Sequence, residues 1–230
     1  MVRFKSIVKG VLLFLGLLVV DGIIQSIYLV GTNSKTSLPD AILVTIIMVA
    51  AEIAMVLPII HFFKTRFDSF SFYKVRPEDI LATLKYVVII LMGNILLNLV
   101  HMMFVGKVSE AANQASIESM AKPSMIIGLI FMITLVAPFI EEIMFRGIIM
   151  NYITYGLPKW IKIVISGVAF GLFHVIGDTF QLFALIQYSF MGCVLAYAYL
   201  SNNRLQSSIM VHMGNNIIAS VPLLLIAFIK

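Results

Sequence analysis

Within a single apolar stretch this chain places Glu141-Glu142-Ile143-Met144-Phe145-Arg146. Three ionisable side chains at that depth narrow the folds open to it, because each costs about 2.5–3.5 kcal/mol at the centre of a membrane helix. They require partners, or a water-filled cavity between helices. A soluble setting is excluded by the balance of the whole: 61% of the 230 residues are hydrophobic and 12% charged. The mean hydropathy of +1.05 is far from that of a soluble domain. The chain reads as an all-α, multi-pass transmembrane bundle enclosing an intramembrane polar cavity.

Apolar runs able to cross about 30 Å of hydrocarbon occupy 7–31, 41–63, 86–106, 124–156, 180–201 and 206–229, with a shorter seventh at 160–176. Seven to eight spans are expected, the eighth arising if the over-long 124–156 run holds a split or re-entrant helix. Arg3, Lys5 and Lys9 precede the first run, and Lys64, Arg66, Lys74, Arg76 and Lys85 follow the second. Lys159, Lys162 and Arg204 fall on the same side, whereas Lys35, Lys107, Lys122 and Lys230 take the other. The positive-inside rule then places the N-terminus in the cytoplasm of a cell-membrane protein and, with seven spans, the C-terminus outside. The first run lacks a small-x-small cleavage site and reads as a retained span. Topology accounts for the net charge of +5, so no nucleic-acid partner is expected. Residues 1–230 read as one membrane-embedded domain without internal repeats.

Three polar constellations lie on successive apolar runs. In the first, Glu142 and Arg146 are spaced i, i+4 and can pair, while Glu141 points about 100° away around the helix. This assigns Glu142 and Arg146 to charge neutralisation and leaves Glu141 to face a cavity. The alternative is a purely structural ion-pair cluster. Pro138, about one turn earlier, lacks an N–H and frees the carbonyl of Thr134, bending the helix beside the carboxylates. In the second constellation, Gly167 and Gly171 form a small-xxx-small face that presses Phe170 and His174 onto a neighbouring helix, with Asp178 one turn beyond as an orienting partner for the imidazole. In the third, His212 and Asn216 share a helix face, and Gly214 admits another backbone. Alone, His174 reads as a hydrogen-bonded structural histidine and the third set as interhelical glue. Together they offer a carboxylate and an imidazole around one water, and a second imidazole with an amide as hydrogen-bond donors to an oxyanion. Ser166 and Ser189 have no base partner, and Cys193 has neither a local His nor a helix start to activate it.

The ordered set Glu-Glu-x-x-x-Arg, Phe-x-x-x-His and His-x-x-x-Asn resembles the CAAX protease and bacteriocin-processing (CPBP, Abi) family of intramembrane glutamic endopeptidases. The resemblance covers about 124–220, the expected catalytic core. It implies a water activated by Glu141 and His174, an oxyanion-stabilising pair in His212 and Asn216, and supporting roles for Glu142, Arg146 and Phe170. It implies no cofactor. The alternative is zinc held by Glu141, His174 and His212, a donor set that suits that metal; the chain lacks a His-Glu-x-x-His pair. The implied partners are the bilayer and a membrane-delivered peptide, whether prenylated, signal-peptide-like, or a bacteriocin or pheromone. A non-catalytic immunity or kinase-modulating protein on the same scaffold and a proton-coupled transporter are the rival functions.

Other polar residues in apolar runs read as structural. Asn94 and Asn98, at i, i+4, are expected to hydrogen-bond between helices. Asp21 and Glu52 are assigned to structure too, the alternative being a water or substrate path. The loop from Lys64 to Lys85 mixes Phe67, Phe70, Phe72 and Tyr73 with basic residues and is expected to lie at the lipid interface as an anchor.

Overall fold

A computed structural model describes residues 2–31, 36–106, 126–176 and 181–229, together with 115, 117 and 118. Within them the chain forms helices α1 (Val2–Gly31), α2 (Leu38–Lys64), α3 (Pro77–Val105), α4 (Ile126–Ile153), α5 (Lys159–Val175), α6 (Leu182–Asn202) and α7 (Leu205–Ile229), with no strand among the described residues. All but α5 are long and apolar enough to cross a bilayer; α5 has 17 residues. The over-long run therefore resolves into α4, continuous from Ile126 to Ile153, rather than a re-entrant pair. Lys35, Lys107, Lys122 and Lys230, which carry the opposite side of the charge argument, lie outside the described residues.

α4 is the axis of the bundle. Lipid can cover apolar side chains but not the charges of this helix, which must face protein, and Glu142–Met150 are all buried. α1 covers one flank through Phe14, whose ring meets Phe145 edge-on at 5.6 Å, and through Ser6, whose hydroxyl donates to the Tyr152 carbonyl. α5 and α6 pack backbone to backbone. A Cβ at Gly167 would stand 2.3 Å from Cys193 Sγ, one at Gly171 2.2 Å from Ser189 Oγ, and one at Gly192 2.9 Å from Gly167 Cα. The small-xxx-small face thus does what its sequence implies, with α6 as the partner. α7 packs along α4, and α3 lies outside it against α6 and α7. Gly214 makes room there for the Val87 side chain, 3.1 Å from where its Cβ would be, and not for a second backbone.

Within the 65–76 connection, whose aromatic residues are expected to anchor at the lipid interface, Phe70 turns into the bundle instead. Phe70 is fully buried and Ser69 nearly so. The Phe70 ring fills the space over Gly147, where a Cβ would meet it at 2.5 Å, and stacks on Phe63 at 4.6 Å. Tyr199 OH joins Ser69 Oγ at 3.1 Å and Asn151 Nδ2 at 3.0 Å, tying the loop to α6 and α4. Phe72 and Tyr73 stay about half exposed. The loop folds into the bundle because Gly147 leaves a hole that one aromatic ring fills. The expected hydrogen bonds of Asn94 and Asn98 are also missing at their amide oxygens, which are buried and unpaired among the described residues.

Candidate functional site

α4 does not keep one register. Met132–Val136 and Ile143–Ile153 are π-helical, flanking an α-helical Ala137–Glu142. π-turns inside α-helices are rare and gather at functional sites. The Ala137 N–H reaches back to the Met132 carbonyl, so the carbonyl that Pro138 leaves unpaired is Ile133's and not Thr134's, as an α register would have it. Asn216 of α7 fills the vacancy: its Nδ2 donates to Ile133 O at 2.8 Å. Its Oδ1 accepts from Asn215 Nδ2 at 3.2 Å, which fixes the amide orientation and leaves one Nδ2 hydrogen for another acceptor.

The expected pair forms. Arg146 Nη1 donates to Glu142 Oε1 at 2.9 Å, with both side chains fully buried. Nη2 donates to the Gly192 carbonyl at 2.6 Å, and the guanidinium lies 5.0 Å from the Phe170 ring centroid, a cation–π arrangement. Glu142 Oε1 also accepts from His212 Nδ1 at 3.0 Å. The second imidazole is held as firmly. His174 Nδ1 donates to the Phe170 carbonyl at 2.9 Å, and its ring is flanked by Phe170 at 4.4 Å and Tyr188 at 4.5 Å.

These anchors turn both Nε2 atoms toward Glu141. Glu141 Oε2 lies 3.8 Å from His174 Nε2 and 3.8 Å from His212 Nε2, and it has no hydrogen-bond partner among the described residues. Such a gap exceeds a direct hydrogen bond and invites a bridging water. Glu141 and His174 keep 15% and 12% of their side-chain surface exposed, against 2% and 0% for His212 and Glu142. The first pair therefore faces the open side and the second lies behind it. Two imidazoles and a carboxylate are donors that zinc accepts, but no group of His, Cys, Asp or Glu among the described residues is arranged to hold a metal ion.

Residues 123–218 match the family model described as type II CAAX prenyl endopeptidase Rce1-like. The segment is Rce1-like. It contains every residue of the three constellations, and the match supports an endopeptidase at the level of the family. No curated protein and no solved structure matches the chain.

Within the Rce1-like segment, Glu141, His174 and His212 converge, Asn216 is bonded to Ile133 O one turn along α7 from His212, and Asp178 lies outside the described residues. Ser166 donates to the Phe145 carbonyl at 3.1 Å and Cys193 packs on Gly167, so neither faces the site. Sequence reasoning missed Tyr188, which stacks on His174, and Gly192, whose carbonyl receives Arg146. It also missed the Glu142–His212 bond. A Gly and a Tyr in an apolar run give no local signal of such roles.

Proposed function

We propose that the chain is an intramembrane endopeptidase that hydrolyses a peptide bond of a membrane-delivered substrate with a water held by Glu141 and His174. The observation that carries this reading is the unpartnered Glu141 Oε2, 3.8 Å from each of two imidazole nitrogens. Glu141 takes a proton from the water as its oxygen bonds to the substrate carbonyl carbon, and the carbonyl electrons move onto oxygen. With Nδ1–H directed at Phe170 O, His174 presents its Nε2 lone pair to the second water proton. The oxyanion receives the free Nδ2–H of Asn216 and an Nε2–H of His212, a ring that Glu142 holds through Nδ1–H. Collapse breaks the C–N bond, and Glu141 returns its proton to the leaving amine. No step passes through a metal. The substrate class follows the CAAX prenyl endopeptidase match, so a prenylated peptide is the first to try. The basic loops face the cytoplasm in this reading.

The test is cleavage of a membrane-peptide library, including prenylated members, in proteoliposomes by wild type and Glu141→Gln with equal melting temperatures. Cleavage by wild type alone is expected. Equal cleavage by both removes Glu141 as the base, and biological activity undiminished by Glu141→Gln favours a non-catalytic partner.

A further inference from the structure

Of the three side chains that converge, only His174 sits at a helix end. α5 stops at Val175, one residue beyond it, whereas Glu141 lies well inside α4 and His212 inside α7. The bond from Nδ1–H to the Phe170 carbonyl, at 2.9 Å, is a single tie, and a ring held by one tie can still swing about it. Aromatic walls stop the swing. The imidazole lies between the Phe170 ring at 4.4 Å and the Tyr188 ring at 4.5 Å, inclined to them by 35° and 24°, with Phe173 edge-on at 5.4 Å. Phe170 and Phe173 belong to the helix of His174 itself, and Tyr188 comes from α6.

The distance of the Tyr188 wall is set by a glycine. A Cβ at Gly171 would stand 2.2 Å from Ser189 Oγ and 2.9 Å from both Leu185 O and Ser189 N. The turn of α6 that carries Tyr188 can lie this close only because position 171 has no side chain. The opposite wall cannot yield either. Phe170 is fully buried, with the Arg146 guanidinium 5.0 Å from its centroid and the Phe145 ring edge-on at 5.2 Å. The imidazole thus occupies a slot built by two helices. In that slot the ring cannot turn over, and its tautomer follows its orientation: with Nδ1–H on Phe170 O, Nε2 keeps the lone pair and lies 3.8 Å from Glu141 Oε2.

We infer that Tyr188 is the positioning residue for His174: its ring closes the slot that keeps the imidazole in one orientation and one tautomer, with Nε2 turned to Glu141. Tyr188 acts through His174 and not on the substrate, and the ring rather than the phenol oxygen does so. The catalytic use of this orientation rests on the endopeptidase reading; the hold on the imidazole does not.

The test reads the imidazoles directly. The chain has four histidines, so protein carrying isotope-labelled histidine gives a short set of ring-nitrogen NMR signals, and His174→Gln assigns those of His174. Wild type at neutral pH is expected to show one His174 pattern, with a protonated Nδ1 and a lone pair on Nε2. Tyr188→Phe, which keeps the ring, should leave that pattern unchanged. Tyr188→Leu should add the other tautomer or average the two, and Tyr188→Met, whose flexible side chain fills the vacated space, should do the same. Unmoved signals from His61, His101 and His212 show that a variant keeps the fold. A single, unchanged His174 pattern in the Leu and Met variants overturns the proposal. So does a Tyr188→Phe variant that behaves like Tyr188→Leu, which would give the role to the hydroxyl. Cleavage is followed separately. With a substrate that wild type cleaves, Tyr188→Leu should lower kcat by about tenfold or more with KM little changed, since a small misplacement of a catalytic group is costly. Tyr188→Phe should keep the wild-type value. A raised KM with kcat unmoved would make Tyr188 a substrate contact and overturn its positioning role. A tautomer change without cleavage by wild type removes the endopeptidase and keeps the slot, whereas cleavage with an unchanged imidazole does the reverse.

Discussion

Glu142 Oε1 lies 3.0 Å from His212 Nδ1, and the same oxygen receives Arg146 Nη1 at 2.9 Å. The buried ion pair is thus the anchor of the imidazole that faces Glu141, and stability and site geometry share one atom. Removing one member strands the other, which for a buried pair costs about 3–5 kcal/mol. Arg146→Met should therefore lower the melting temperature in detergent strongly, and Glu142→Gln with Arg146→Met should recover much of the loss. A single variant that melts with wild type would show that the pair is not holding α4.

The α5–α6 contact leaves no room for a methyl group. A Cβ at Gly192 would meet Gly167 Cα, Gly167 O and Phe170 Cβ, all at 2.9 Å, and backbone cannot step aside as a long side chain can. Gly192→Ala should destabilise by about 1–3 kcal/mol, the range of overpacking, and should shift the carbonyl that receives Arg146. Gly16→Ala, where nothing lies within 4 Å, is the matched control and should melt at or slightly above wild type. Equal effects at the two positions would contradict the packing argument.

What the sequence discloses about this site stops where tertiary contact begins. Glu142 and Arg146 are readable as a pair because i, i+4 spacing is a property of one helix, and Gly167 with Gly171 is readable as a contact face because small residues have one main use between membrane helices. The bond from Glu142 to His212 spans 70 residues, and nothing local encodes it. Pro138 marks a disturbed helix, but which carbonyl it frees depends on the π register, and the answer moves from Thr134 to Ile133. The aromatic and basic mixture of 64–85 does not say which ring turns inward; the hole above Gly147 takes Phe70.

That hole gives a third prediction. Phe70 is fully buried and shares its surroundings with Phe63, Phe67 and Gly147. Phe70→Ala should cost about 3–5 kcal/mol, as for aromatic truncation in a packed core. Phe72→Ala, at a ring about half exposed, should cost much less. Chemical denaturation of both variants in one detergent checks the difference, and similar losses would return the loop to the lipid surface.

Metal dependence separates the two chemistries open to Glu141, His174 and His212. With a water activated by the carboxylate, protein purified without added zinc should carry no stoichiometric metal and keep its turnover after treatment with a chelator. Metal bound one to one, with turnover lost on its removal and restored by zinc, would replace this mechanism.

The last prediction joins Pro138 to Asn216. Asn216 donates one amide hydrogen to Ile133 O because no N–H at position 138 competes for that carbonyl, and this bond aims its remaining hydrogen. In the proposed mechanism Asn216→Ala removes an oxyanion donor, so kcat should fall by about 10²–10³ with KM little changed. Pro138→Ala leaves Asn216 in place but supplies an N–H that can take Ile133 O and release the amide. It should lower kcat by a smaller factor, again without raising KM, and the double variant should be no slower than Asn216→Ala alone. Independent, multiplying losses would mean that Pro138 acts on the site by some other route than Asn216, and a raised KM in either single variant would make the amide a substrate-binding group rather than a donor to the transition state.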